Sequence, residues 1–159
     1  MSTFLLYYRH MKDHTATTNY NQITDDVFVG SNFCCQVHFD DALVKQGVVA
    51  DVSLEKEQID AAYGVESYLW LPTEDTTAPS PHQLGLGCSH IQDVINRGHK
   101  VYIHCRNGHG RAPTMASAYL VSTGMSADDA MALIQENRAE THMNNVQIEA
   151  VRAFAGSEA

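Results

Sequence analysis

The segment His104-Cys105-Arg106-Asn107-Gly108-His109-Gly110-Arg111-Ala112-Pro113-Thr114 sets a cysteine ahead of an arginine in a C-x5-R spacing. Between the two lie two glycines and no apolar residue. Such a loop, folded tightly, can turn successive backbone N–H groups inward as an anion-binding nest. Gly108 and Gly110 are expected to supply the positive φ angles this needs. A helix beginning near Ala112 adds the positive end of its dipole. Arg111 offers a planar fork that matches two phosphate oxygens. The same field favours the thiolate of Cys105 over its thiol. A thiolate beneath a bound phosphate monoester is placed for in-line attack, which gives a phosphocysteine.

These residues need a frame. Lys100-Val101-Tyr102-Ile103-His104 reads as a buried strand ahead of the loop, and a helix is expected from about Ala112 to Thr123, with Pro113 in its first turn. Upstream, Val27–Gly30, Val48–Val52 and Tyr68–Leu71 read as strands, the last stopped by Pro72. Residues 38–46 suit a short helix. Ser80-Pro81 opens a longer one, whose Leu84, Cys88, Ile91 and Ile95 form an apolar face closed by Gly98. Ser126 caps a further helix with Ala127, Ala130, Met131 and Ile134 on one face, and a last helix spans about 144–155. The fold class is therefore α/β: a short, mostly parallel central sheet flanked by helices, with the phosphate-binding loop between strand and helix. Ligands of such sheets sit at the carboxyl ends of the strands, where this loop lies.

Length and composition fit one domain: 159 residues, 44% hydrophobic and 18% charged. Residues 1–19 read as an extension and 20–159 as the domain. The net charge of −9 disfavours nucleic acid and anionic membranes as partners. Phe4–Tyr8 lacks the basic flank and small-residue cleavage site of a signal peptide. The expected setting is the cytoplasm, with Cys34, Cys35, Cys88 and Cys105 as free thiols and no metal site. Cys88 falls on the apolar helix face as a small core residue, and Cys34 and Cys35 are candidate redox partners for Cys105.

The pattern His104-Cys105-x-x-Gly108-x-x-Arg111 resembles the signature of the protein tyrosine phosphatase superfamily. The continuation Arg111-Ala112-Pro113-Thr114 is similar to its dual-specificity branch, and the resemblance covers residue 20 to about 155. It implies a phosphate-binding loop made by Arg106, Asn107, Gly108, His109, Gly110 and Arg111, a cysteinyl-phosphate intermediate, and no cofactor. It also implies a general acid on a loop after the preceding strand, about thirty positions before the cysteine. Asp75 holds that place in Leu71–Pro79, with Glu74 as its competitor. Gln147 resembles a position that orients the attacking water in some relatives.

One departure stands out. The family usually carries Ser or Thr after the arginine, where its hydroxyl helps the cysteine leave; here the residue is Ala112. His104 reads as structural, packed behind the loop and bonded to its backbone. Arg106 and His109 are expected to ring the mouth, where they either favour acidic substrates or are simply solvated. The expected substrate is a phosphorylated protein or peptide, on phosphotyrosine and then on phosphoserine or phosphothreonine. Alternatives are a phosphoinositide, phosphoglucan or RNA 5′-phosphate, or a catalytically dead phosphate-binding module.

Overall fold

A computed structural model describes residues 18–32 and 39–158 of the chain. Five strands make one sheet: β1 (Tyr20–Gln22), β2 (Val27–Gly30), β3 (Val48–Glu55), β4 (Ser67–Thr73) and β5 (Lys100–His104). Their order is β1-β2-β5-β3-β4, parallel throughout except for the antiparallel β1–β2 pair. Helices α1 (Asp41–Lys45), α2 (Pro81–Asn96), α3 (Arg111–Ser122), α4 (Ala127–Asn137) and α5 (Asn145–Glu158) complete the fold.

β5 sits mid-sheet, and every residue after Lys100 is buried. Side chains alternate across a strand. Val101, Ile103 and Cys105 therefore join the larger core, which α2 to α5 help to build. Tyr102 joins the smaller core of Phe28, Phe39, Leu43 and Val48 on the other face, and His104 stacks on Tyr102. This alternation separates Cys105 from its neighbour His104. α3 is buried along its length except at Ser122, so its N-terminus is fixed against the sheet.

α2 starts as the sequence predicts. Ser80 accepts from Gln83 N at 3.2 Å while the Gln83 side chain accepts from Ser80 N at 2.9 Å, a reciprocal cap. Its buried face uses Val94, with Ile95 only half-buried. Four readings are corrected. β4 runs through Pro72 to Thr73, because an edge strand can hold a proline whose missing N–H faces no partner. β1 is polar, Tyr-Asn-Gln, and carried no strand pattern; pairing with β2 makes it a strand. The short helix spans only Asp41–Lys45, capped by Asp40, and the last helix continues to Glu158. Among the thiols, Cys88 is buried in the core, while Cys34 and Cys35 lie outside the described residues, as does most of the 1–19 extension.

Replacing Ser80 with Ala removes one half of the reciprocal cap. The expected loss is about 1 kcal/mol, read as a lower urea midpoint with an unchanged slope.

Candidate active site

Residues 105–110 connect the end of β5 to the start of α3. Cys105 is 3% exposed at the base of a cavity, and its Sγ accepts from Gly108 N at 3.2 Å. Gly108 has φ +70°, and a Cβ there would stand 2.5 Å from the backbone of Gly30. Gly110 differs from expectation: its φ is −132°, an ordinary extended value. Here glycine leaves room for a neighbour: a Cβ would lie 2.7 Å from the Gln147 amide and would push that side chain out of its bonds.

The loop is held from outside by its carbonyls. Arg106 O accepts from Asn32 N at 3.2 Å and His109 O from His142 N at 2.9 Å. Arg138 Nε donates to Gly108 O at 2.8 Å and Nη2 to Asn107 O at 3.3 Å. Gly110 O accepts from Thr114 Oγ1 at 2.7 Å. Five consecutive carbonyls thus face donors behind the loop, which leaves its N–H groups for the concave side. Arg138 is fully buried and anchors its remaining nitrogen on Asn19 and Asn21, each at 2.8 Å. Sequence reasoning missed it, since its partners lie far away along the chain. The Thr114 hydroxyl is spent on Gly110 O.

Arg111, 2% exposed, lines the same cavity as Cys105. Its Nη1 donates to Thr73 O at 2.8 Å and to Glu57 at 3.0 Å, and Nη2 lies 3.3 Å from Asp75 Oδ1. Its Nε is buried with no partner among the described residues, so one donor of the guanidinium is uncommitted. Glu57 is a second missed residue. Partial burial works against its charge, but the bond and charge of Arg111 together with backbone N–H donors outweigh this and hold its carboxyl below the usual range.

Asp75 lines the cavity, whereas Glu74 turns to Lys56 at 2.7 Å on the surface. The loop carrying Asp75 is tied down by the start of α5. Asn144 Nδ2 donates to Thr76 O at 2.6 Å and Gln147 Nε2 to Thr77 O at 3.0 Å. Gln147 Oε1 accepts from Asn144 N at 3.0 Å, so both ends of this amide are engaged. Thr76 takes φ +64°, a strained value for a β-branched residue, beside Asp75. Asn107, His109 and His142 also line the cavity. Arg106 is exposed.

His104 packs behind the loop, where it meets two carboxylates. Its Nε2 lies 3.1 Å from both Asp51 and Asp60, all three being buried. Burial opposes the imidazolium, yet the two carboxylates prevail and raise His104 to about 10. Burial also pushes the Asp51 carboxyl up, against the pull of His104.

The match to known proteins follows this geometry. The family model of the dual specificity phosphatase catalytic domain covers residues 27–155. The chain belongs to that family. Among curated relatives, the phosphatidylinositol 3,4,5-trisphosphate 3-phosphatase and protein-tyrosine-phosphatase PTEN1 of Arabidopsis thaliana is 34% identical over 85 residues, 52% of this chain and 20% of that protein. The human phosphatidylglycerophosphatase and protein-tyrosine phosphatase 1 is 32% identical over 93 residues, 57% of this chain and 46% of that protein. The chain thus spans less than half the length of these two relatives. Solved folds agree. Human DUSP28 superposes with a TM-score of 0.76 at 19% identity, over 87% of this chain and 93% of that one. PTPMT1 in complex with PI(5)P gives 0.74 at 21% identity, over 87% and 96%. This dual-specificity domain is thus a phosphatase catalytic domain of the cysteine-based superfamily.

The His104 cluster sets a pH dependence for the family fold in this chain. A folded-state value near 10, above the ordinary 6.5, gives stabilisation that is full below 6.5 and is lost as pH rises towards 10. The urea midpoint should fall across that window, and Asp60→Asn should flatten the fall.

Proposed function

We propose that this domain hydrolyses phosphate monoesters in two steps, with Cys105 as nucleophile, Arg111 as phosphate clamp and Asp75 as general acid. The observation that carries the reading is one small cavity lined by the sulfur, the guanidinium and the carboxylate. A phosphate dianion seated in the loop takes the inward N–H groups and the free Nε of Arg111. The Cys105 thiolate then attacks phosphorus in line, the P–O ester bond breaks, and Asp75 gives its proton to the leaving oxygen. Water next attacks the phosphocysteine, Asp75 takes its proton, and the P–S bond breaks to free inorganic phosphate. The engaged amide of Gln147 supports a role in holding the acid loop over the phosphate loop; water orientation by Gln147 would require it to exchange partners.

Ala112 bears on the second step. It is fully buried and offers no hydroxyl to the departing sulfur. Breakdown of the phosphocysteine is therefore the slow step, and turnover begins with a burst.

The substrates we propose are phosphotyrosine and then phosphoserine or phosphothreonine of proteins, in a cytoplasmic setting. A second reading, a phosphorylated polyol or lipid head group, is supported by relatives whose names join lipid and protein-tyrosine activities. Among the described residues no helix is long and apolar enough to cross a membrane.

Purified protein should turn over p-nitrophenyl phosphate, and Cys105→Ser should not. Absence of turnover in both would make the domain a phosphate-binding module. Asp75→Asn should lower kcat for poor leaving groups by about a hundredfold or more, while Glu74→Gln stays within about twofold. Ala112→Ser should raise kcat and remove the burst; an unchanged profile would contradict a slow second step.

A further inference from the structure

Two imidazoles share the cavity that holds Cys105. His109 comes from the phosphate loop and His142 from the segment between α4 and α5. Their ring centroids are 4.8 Å apart, and the loop bond from His142 N to His109 O fixes the approach. His142 Nδ1 lies 2.9 Å from Glu140 O. A carbonyl only accepts, so this nitrogen carries the hydrogen and Nε2 presents the ring's lone pair.

The charges around the cavity give the pair a purpose. Arg111 is already shared between Glu57 and Asp75, and Lys56 is paired with Glu74. With Cys105 as thiolate, these groups carry no surplus positive charge for a second anion. The groups facing His109 are His142, Arg138 from beneath, and Glu140, whose carboxylate accepts from Asn19 at 3.3 Å. Burial first, then the neighbouring His142 and Arg138, hold His109 below the ordinary histidine value. Two imidazolium rings at this spacing repel each other. An anion in the cavity that both rings can reach offsets that cost, so anion binding and proton uptake are linked.

We propose that His109 and His142 form a proton-gated subsite for a second phosphate, carried on the same compact scaffold as the scissile one. Both rings line one cavity of about 240 Å³ with Cys105 and Arg111, an arrangement that suits two phosphates held close together, as on adjacent hydroxyls of a polyol ring. Two phosphorylated residues of a peptide, each at the end of its own side chain, fit this spacing poorly. The inference rests on the hydrolase reading and favours its second substrate class, the head group, over the phosphoprotein.

The test compares kcat/KM for an inositol bisphosphate with adjacent phosphates and an inositol monophosphate, from pH 7.5 to 5.5. The ratio, bisphosphate over monophosphate, should rise about tenfold as the pair gains its charge. In His142→Gln the ratio should become flat with pH. In Cys105→Ser, which binds without turnover, the bisphosphate should take up a proton at pH 6.5 and the monophosphate should take up less. A flat ratio in the wild type, or a rise that survives in His142→Gln, overturns the subsite. A larger ratio for a doubly over a singly phosphorylated peptide overturns the compact scaffold. Failure to hydrolyse p-nitrophenyl phosphate would instead defeat the hydrolase reading itself. Placing the bisphosphate on a vesicle should give the same pH-dependent ratio as the soluble head group.

Discussion

Five backbone carbonyls, Arg106 to Gly110, are turned outward onto donors, and the proposed anion site depends on that inversion. A concave row of N–H groups is costly unless the opposed oxygens are satisfied elsewhere. Arg138 supplies the buried charge for two of them, Asn32 and His142 supply backbone N–H groups, and Thr114 closes the row. The glycines follow from the same demand. Gly108 turns left-handed against Gly30, and Gly110 makes room for Gln147. A residue far along the chain, with no polar group in the cavity, thus decides whether the loop can hold a dianion.

The second constraint is how Arg111 is oriented. Thr73, Glu57 and Asp75 hold its terminal nitrogens, so the guanidinium is positioned before any substrate arrives. An incoming phosphate would compete with Asp75 for the outer nitrogen. The exposed loop around Asp75 is steadied by Asn144 and Gln147, which bridge it to the start of α5.

Local features were legible in the sequence. Cys105 and Arg111 lie in one short segment between a strand and a helix, and their common cavity follows from that junction. The capped start of α2 and the buried run of β5 were equally plain, because each is written in contiguous residues. What was missed acts at long range. Glu57 meets Arg111 across 54 positions and Arg138 meets Gly108 across 30, and neither pairing leaves a periodic trace. Asp51, inside β3, and Asp60, in the connection after it, gave no sign in the sequence of their meeting with His104. Gly110 was assigned the right residue type for the wrong reason, since crowding and torsion both select glycine.

The account's central claim is a sulfur anion beneath a bound oxyanion, and the covalent product of that contact can be caught. Rapid quenching of wild-type protein with excess substrate, followed by mapping of the phosphate to a residue, addresses it most directly. The predicted result is a phosphate on the sulfur of Cys105, formed within the burst and decaying at the steady-state rate. Phosphate found on another side chain, or turnover with none on the protein at any time, would contradict it.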